Sequence, residues 1–528
     1  MAVYLALRMT LVPALHFDFY ADDFFLLDWA SHLSWGGWLD GFFEPGHFNL
    51  TYRPMALLIY LIYLFENRMA GYLVLDAIFL ANAALIFVLC RNLGGRAFAT
   101  LTGFFFIGSF IYYDATHRIY NLLTQCGALF FLMSLVLWQS SVGPGGDRSV
   151  WRRLSWFFYA LSLATYEITF FGFAIVFALA LDGDLSARQT MKDAVGDALR
   201  QAWPYVAIAF AYAALNVLSP LKAEHLSQHA IPLALSSIPL VAQRLVGNIE
   251  NSLSWILTVE RGPAFRDMVS LESVALSICL AAVLGFVIVE SAAGASRELR
   301  RWAALGALGM YWFIVVLAPS AFASYFDYRL TFLAYVGFSM ALSAALIGCY
   351  QTVVQALGSA HRAVAQGCVA SMLAVLGAVW ILSNVALSER MDRNLIAAGT
   401  AQRRLVESFQ PYVDDIATNA VVAVGYKHVP APSLPYVYQA SPFPEDFGLK
   451  YALHYYYGKE VEAANLFFET RAERIAVGRF VESRVLYPYD RLALFDFDGT
   501  NLVRRASVEV GRERIPLPLA HGAAKTSS

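Results

Sequence analysis

The sequence predicts a polytopic α-helical membrane protein with about eleven transmembrane helices and a small C-terminal extracytoplasmic α/β domain. The chain is 58% hydrophobic and only 15% charged, whereas soluble domains carry about 25% charged residues. The deficit is concentrated in residues 70–390, and residues 391–528 have the composition of a soluble protein. The net charge of −2 gives no basic field that would attract nucleic acid.

Eleven stretches come close to the roughly 20 apolar residues that a spanning helix needs. The first is short and carries Arg8 and Pro13, which fits either a tilted helix or a start codon further upstream. The predicted spans lie near 1–16, 72–90, 97–113, 120–138, 152–167, 168–182, 202–219, 272–290, 302–320, 330–350 and 363–387.

Basic residues occur in alternate connections between these spans, which the positive-inside rule makes cytoplasmic. The basic connections carry Arg91 and Arg96, then 148–153, 188–200, 297–301 and Arg362. The opposite set is therefore external. It comprises 17–71, 114–119, the turn near Glu167, 220–271, 321–329 and the C-terminal part. We expect a multi-pass protein of a bacterial inner membrane whose active site and C-terminal domain face the periplasm.

The predicted domains are a transmembrane catalytic domain over 1–390, a soluble α/β domain over 391–515 and a disordered tail over 516–528. Apolar residues at helical spacing predict an amphipathic helix in the second long external loop, at 235–257. The soluble part should contain a helix at 394–409, a strand at 420–426 and a loop at 429–437.

The first external loop opens with "HFDFYADDFFLLDWA", in which Asp18, Asp22 and Asp23 lie among aromatic residues at the membrane surface. On a helix Asp18 and Asp22 share a face, and Asp23 points about 100° away. A carboxylate against apolar walls can serve as a general base near neutral pH. Helix capping and interfacial anchoring explain the same residues without chemistry.

Tyr52-Arg53-Pro54 follows, just before an amphipathic helix that Pro54 can begin. An arginine outside the bilayer can bind a lipid phosphate with two parallel hydrogen bonds. It can equally extend to the interface as an anchor for the helix. The sequence leaves both roles open for Arg53.

Three further external elements carry ionisable groups next to apolar spans. "YYDATHRIYNLL" contributes Asp114 and His117, and "FDYRLTFLAYVG" contributes Tyr328 and Arg329. Glu167 lies between two spans with almost no loop, where a charge is costly unless it has a function or a partner. All of these groups fall on the predicted external side.

The set resembles the C-type (GT-C) membrane glycosyltransferases, and most of all their protein mannosyltransferase-like branch, which uses polyprenyl-phosphate sugars. The shared pattern is an Asp-Asp in the first external loop, Tyr-Arg-Pro before a helix, and a histidine turn like "DATHRIYNLL". An acidic residue after the fifth span and an Arg-Tyr-type motif before a late span complete it. Here the acidic residue stands in "TYE", without the lysine that often precedes it, and the late motif has the order Tyr328-Arg329. The resemblance covers about 1–390.

The resemblance implies an inverting glycosyltransferase that moves a sugar from a polyprenyl phosphate to a hydroxyl of a glycan, lipid or protein. The catalytic base would be Asp22 or Asp23, with a slight preference for Asp22. Arg329 would be the first choice to stabilise the leaving phosphate, followed by Arg53 and His117. The substrate-binding set is Arg329, Tyr328, Arg53, Tyr52, His117, Glu167 and Asp114.

No spacing in the sequence requires a cofactor. Some enzymes of this class bind a divalent cation near the acidic loop, and the candidate ligands here are Asp22, Asp23, Glu44 and His47. A secondary transporter or lipid flippase is the alternative function, although we find no convincing repeat. A membrane scaffold that recruits a partner through its C-terminal part is a third.

One further motif is "DRLALFDFDGTNLV" at 490–503, which reads like the nucleophile strand of a haloacid-dehalogenase-type phosphatase. That fold needs further strands and catalytic groups after the motif, and only 28 residues follow Thr500. We therefore expect 491–497 to be a strand and 498–501 a turn, without a catalytic Asp496.

Overall fold

The protein is described by a computed structural model that is mostly helical, with a small mixed sheet near its C-terminus. The described residues are 16–17, 19, 22–32, 34, 36, 53–109, 118–142, 148–186, 190–218, 237–258, 299–322, 331–356, 362–416, 420–426, 441–443, 446–466, 475–476, 479–482, 485–488, 491–510 and 513–517.

The α-helices are numbered in chain order. They are α1 Asp22–Ser31, α2 Pro54–Tyr60, α3 Arg68–Ile107, α4 Leu122–Val142, α5 Arg148–Thr165, α6 Gly172–Ser186, α7 Met191–Leu218, α8 Ile238–Thr258, α9 Leu299–Leu317, α10 Thr331–Ala356, α11 Arg362–Ser408 and α12 Asp446–Tyr457. Short 3₁₀ helices lie at Leu61–Phe65, Ile119–Asn121, Glu167–Thr169, Ala318–Phe322 and Gln410–Asp415.

Within the described part of the chain, five helices are long and apolar enough to cross a membrane, namely α3, α4, α9, α10 and α11. They indicate a multi-pass membrane protein. Helices α5, α6 and α7 form where three further spans are predicted, and α8 forms at the predicted amphipathic helix. The span at 272–290 lies outside the described residues, as does that at 1–16 apart from His16. The count of eleven stays a prediction.

Helix α3 would be about 60 Å long if it were straight, twice the thickness of the hydrocarbon core. It is broken at Gly95, where φ is 84° and ψ is −178°, a backbone conformation open essentially to glycine alone. The break falls between the predicted spans 72–90 and 97–113, beside the basic residues Arg91 and Arg96. It allows the two apolar halves to act as separate spans.

Helices α9 and α10 approach each other through a pair of glycines. A Cβ atom on Gly309 would lie 2.5 Å from the carbonyl oxygen of Gly337 and 2.7 Å from the amide nitrogen of Ala341. A Cβ on Gly337 would collide with the backbone of Gly309 in return. Small residues of this kind let helices in a membrane pack backbone to backbone.

Helix α11 joins the apolar part of the chain to the sheet. Its 47 residues extend over about 70 Å, far more than a bilayer core requires. The sequence predicts a span at 363–387 and a separate helix at 394–409, whereas the structure has one continuous helix. Its C-terminal portion therefore projects beyond the apolar stretch toward the C-terminal elements.

The C-terminal part contains a four-stranded sheet of order β2-β1-β6-β7, in which only β7 is antiparallel. Strand β1 is buried along its whole length, as expected for a strand between two parallel neighbours. Helix α12 connects β1 to β2 as a crossover. The strands are β1 Val421–Tyr426, β2 Glu462–Leu466, β3 Ile475–Ala476, β4 Arg479–Glu482, β5 Val485–Pro488, β6 Leu492–Phe497, β7 Leu502–Arg504, β8 Ser507–Val510 and β9 Glu513–Pro516.

The expected strands at 420–426 and 491–497 are confirmed as β1 and β6. After β6 the chain turns back into β7, and Oδ1 of Asp498 accepts hydrogen bonds from the amides of Thr500 and Asn501. Asp496 is bound by Arg505, whose Nε lies 2.6 Å from its Oδ2. The aspartates of this motif thus stabilise a hairpin.

Candidate active site

The acidic helix α1 is fixed to the rest of the molecule through Asp23. This side chain is completely buried, and its Oδ1 accepts a hydrogen bond from the hydroxyl of Tyr63. The amide nitrogen of Tyr120 donates to the same oxygen over 3.0 Å. Burial, followed by the charge of Asp23, raises the pKa of Tyr63 well above its ordinary value, so the phenol stays a donor. Asp23 therefore joins three segments of the chain.

Asp22 is the first residue of α1, and its side chain lies outside the described part of the structure. Consecutive residues of a helix point about 100° apart, so the contacts of Asp23 are not contacts of Asp22. The expectation that the pair need not serve one site stays a prediction.

A second charged centre joins Arg53 to Glu167. Nε of Arg53 donates to Oε2 of Glu167 over 2.8 Å, and Nη2 donates to Oε1, so the contact is bidentate. The Arg53 side chain is 11% exposed and that of Glu167 is 31% exposed. The guanidinium carbon lies 4.4 Å from the centre of the Tyr166 ring, in a cation–π contact.

This pairing explains how the chain tolerates Glu167 between two apolar helices. Burial alone would lower the pKa of Arg53, but the Glu167 carboxylate outweighs it, and the pKa of Arg53 is raised. The arginine is therefore charged at every physiological pH. Two of its donors are held by Glu167. The sequence allows Arg53 to be a lipid-phosphate ligand or an interfacial anchor. The structure adds its role as the partner of Glu167.

The segment 53–65 links the two centres, since Arg53 directly precedes α2 and Tyr63 lies in the 3₁₀ helix that follows. Tyr63 follows Arg53 by ten positions, which extend over about 15 Å at helical rise. In the same segment the Tyr60 ring stacks on that of Tyr120, with centroids 6.0 Å apart. One short segment of the chain therefore connects the Arg53–Glu167 pair to the tyrosine that binds Asp23.

Both centres lie at one end of the helical bundle. Asp23 binds next to the beginning of α4, and Glu167 follows directly after the end of the antiparallel α5. A Cβ atom on Gly127 in α4 would lie 3.0 Å from Cβ of Tyr166, so the two helix ends are adjacent. The rings of Phe171 and Phe322 are 6.5 Å apart, which brings the end of the helix pair α5–α6 close to the end of α9. Several predicted external elements therefore converge.

The remaining predicted site residues are outside the described part of the chain. They are Tyr52, Asp114, His117, Tyr328 and Arg329, together with the candidate metal ligands Glu44 and His47. Of the four candidate ligands only the Asp23 side chain is described, and its Oδ1 already accepts two hydrogen bonds from the protein. Metal binding by these four residues stays a prediction.

The C-terminal part packs directly on the segment that the sequence predicts as the first external loop. The Phe24 ring contacts those of Phe443 and Tyr456, with centroids 5.8 and 6.1 Å away. Gln402 of α11 donates to the carbonyl oxygen of Phe19 over 2.7 Å. Around these contacts lies a cavity of about 270 Å³ whose lining also includes Arg403 and Glu407. The helix that carries Asp22 and Asp23 is therefore covered by the C-terminal part.

Several residues that contact the site cannot be identified from the sequence. Tyr63, Tyr120 and Tyr166 look like ordinary interfacial aromatics, and nothing local marks them as partners of Asp23 or Arg53. The proximity of Asp28 and His32 is predictable, because a carboxylate and an imidazole four residues apart share a helix face. Their partner in the structure, His454, is more than 400 residues away in the sequence.

No family model and no curated protein matches the chain. Among solved structures, it is similar to an oligosaccharyltransferase from Archaeoglobus fulgidus tethered to an acceptor peptide, with a TM-score of 0.38 and 11% identity. That likeness covers 80% of this chain and 61% of the archaeal one, so this chain spans less than two thirds of that relative's length.

It is also similar to ArnT from Cupriavidus metallidurans bound to undecaprenyl phosphate, with a TM-score of 0.37 and 13% identity over 88% of each chain. The archaeal oligosaccharyltransferase AglB from A. fulgidus with an inhibitory peptide and dolichol-phosphate gives 0.38 and 11%, over 88% of this chain and 64% of that one. These enzymes are GT-C glycosyltransferases, the class that the sequence motifs resemble.

Proposed function

We propose that this protein is an inverting glycosyltransferase that transfers a sugar from a polyprenyl-phosphate donor to an acceptor hydroxyl on the extracytoplasmic face of a membrane. The observation that carries the proposal is the convergence at one bundle end of the acidic helix α1 and the Arg53–Glu167 pair. Five long apolar helices support the membrane setting and a lipid-linked donor. Two of the similar solved structures hold a polyprenyl phosphate, dolichol-phosphate in AglB and undecaprenyl phosphate in ArnT.

Asp22 is the proposed base, because Asp23 is occupied. A base must reach within about 3 Å of the proton that it takes. Asp23 is completely buried and binds Tyr63 and Tyr120, so its contacts suit a residue that holds α1 in place. Asp22 lies on a different side of the same helix. The stable position of α1 then orients Asp22 toward the acceptor.

In the proposed reaction, the acceptor oxygen forms a bond to the anomeric carbon as its proton passes to the Asp22 carboxylate. The bond between the anomeric carbon and the phosphate oxygen breaks, and the polyprenyl phosphate leaves from the opposite face with its electron pair. The negative charge that develops there needs fixed donors. We assign this role first to Arg329, with His117 behind it. Arg53 holds Glu167 and the α2 end in position.

The test uses the full chain in proteoliposomes with lipids extracted from the producing membranes. Mass spectrometry follows the loss of lipid-linked sugar and the appearance of glycosylated acceptor. Asp22→Asn should lower transfer by about 10²–10⁴-fold while leaving the thermal transition unchanged. Asp197→Asn, in an exposed pair with Arg200 on α7, is the matched control and should keep wild-type transfer.

Asp23→Asn should lower both transfer and thermal stability, because the amide is a weaker acceptor for the Tyr63 hydroxyl. Full activity of Asp22→Asn would overturn the assignment of the base. Movement of lipid across the bilayer without sugar transfer would favour the flippase alternative. A polyprenyl-phosphate sugar that copurifies with the protein would identify the donor.

A further inference from the structure

The structure brings together two histidines and an aspartate at the contact between α1 and α12. One ring nitrogen of each of His32 and His454 and one carboxylate oxygen of Asp28 lie within 4.8 Å of one another. Asp28 and His32 stand one helical turn apart at the end of α1, and His454 lies in the last turn of α12. We propose that these three side chains bind a divalent transition-metal ion, such as Zn²⁺, which joins the C-terminal part to the first external loop.

The ligand set fits this class of ion. Two imidazoles and one carboxylate are a common donor set for zinc with an open fourth position. Because hard cations such as Mg²⁺ prefer all-oxygen sites, the two imidazoles favour a transition metal instead. The near-parallel imidazole rings have centroids 4.8 Å apart at an interplanar angle of 11°, so the two rings stack on each other.

The Asp28 carboxylate is the most buried of the three proposed ligands. The Asp28 side chain is 10% exposed. Nδ1 of His454 lies 2.6 Å from Oδ1 of Asp28, and Nδ1 of His32 lies 3.5 Å from the same oxygen. The two imidazoles are thus the polar groups that face this buried oxygen. Side-chain rotations that set the ligand atoms about 3.3 Å apart would let one Zn²⁺ bind all three.

The surrounding contacts hold the three ligands together without a metal. Phe25 packs on Tyr451 with centroids 4.9 Å apart, on the turn of α12 before His454. The hydroxyl of Tyr455, the residue after His454, donates to Oε2 of Glu66 over 3.0 Å. Backbone positions on both sides of the cluster are thus fixed, as a preformed metal site requires.

The cluster is separate from the proposed catalytic centre. Asp23 and Asp28 are five residues apart on α1, so their side chains leave the helix about 140° apart. Asp23 faces Tyr63 and Tyr120, whereas Asp28 faces His454. The proposed ion therefore has no part in proton transfer. It fixes α12 against the helix that carries Asp22.

The experiment uses the full chain, purified in detergent with a tag that contains no histidine, stripped with a chelator and then dialysed against Zn²⁺. Elemental analysis should find about one zinc per chain. Asp28→Asn and His454→Ala should each lower the zinc content by about tenfold or more, since each removes a direct ligand. His16→Ala, which changes an exposed histidine outside the cluster, should keep the full content.

Hydrogen exchange gives a second readout that does not depend on activity. Zn²⁺ should slow amide exchange in α12 of the wild type and of His16→Ala, which keeps all three ligands, but not in Asp28→Asn. Co²⁺ in place of Zn²⁺ should give visible absorption bands that the Asp28→Asn variant lacks.

Wild-type protein that holds no zinc after dialysis would overturn the proposal and leave a direct Asp28–His454 ion pair. Zinc retained in full by both ligand variants would overturn it as well, because the ion would then lie elsewhere. Failure of transfer by Asp22→Asn has no bearing on these outcomes, so the metal site and the proposed function are tested independently.

Discussion

The Arg53–Glu167 pair gives the sharpest energetic prediction, because its two partners differ in burial. We consider three variants: Glu167→Gln, Arg53→Met and the double variant. Glu167→Gln keeps the shape of the side chain but removes the charge that faces an arginine only 11% exposed. Arg53→Met removes the guanidinium and leaves a carboxylate that is 31% exposed and can hydrate.

The magnitudes follow from this asymmetry. Breaking a fully buried pair from one side costs about 3–5 kcal/mol, whereas exposed pairs contribute about 0.2–1 kcal/mol. With Glu167 partly exposed, Glu167→Gln should cost about 2–3 kcal/mol. Arg53→Met should cost about 1–2 kcal/mol, of which the cation–π contact with Tyr166 accounts for about 0.5–1 kcal/mol. The double variant should cost about 1 kcal/mol or less, since it leaves no buried charge.

The measurement is the apparent free energy of unfolding, followed by tryptophan fluorescence during a detergent titration under one protocol for all four proteins. The double-mutant cycle should give a coupling energy of about 3 kcal/mol, more than roughly a hundredfold in the folding equilibrium. A coupling energy below about 0.5 kcal/mol would show that the two charges do not interact in the folded protein. A larger cost for Arg53→Met than for Glu167→Gln would refute the reasoning from burial.

Three further substitutions test the fold around the site. Tyr63→Phe removes the hydroxyl that binds Asp23 and should lower stability by about 1.5–3 kcal/mol in the same titration; an unchanged midpoint would contradict this. Gly337→Val should destabilise by more than about 2 kcal/mol, because its side chain meets the backbone of Gly309, and wild-type stability would show a looser helix pair. Gly95→Ala should cost about 1–3 kcal/mol through backbone strain alone, since its Cβ meets no neighbour; a neutral effect would mean that α3 is not broken there.

The sequence predicts the helices well because hydrophobicity and backbone chemistry are local. "NLGGRA" places two glycines and an arginine between two apolar stretches, and the structure breaks α3 at Gly95. The continuous helix α11 is less predictable. Its polarity changes at 388–393, but no glycine or proline stops a helix there, and glutamate and arginine favour it. The change in polarity at 388–393 is where the apolar stretch ends, but the helix continues through it.

The contacts of the site depend on residues that are far apart in the chain. The sequence shows that Glu167 needs a partner, but Arg53 lies 114 positions away, and other cations on the predicted external side would fit as well. For the Asp-Asp motif, the helical angle predicts that the two carboxylates diverge. The burial of Asp23 follows only from the packing of Tyr63 and Tyr120 against α1.

Helix α1 connects the two proposals, because one ten-residue helix presents different charged side chains to different neighbours. Asp23 ties it to the beginning of α4, and Asp28 with His32 ties it to α12. A short helix has little stability of its own and keeps its position through such tertiary contacts. Loosening the contact with α12 should therefore alter the placement of Asp22, even though no residue of α12 is assigned a part in the reaction. The C-terminal part would in this way influence sugar transfer through the orientation of α1.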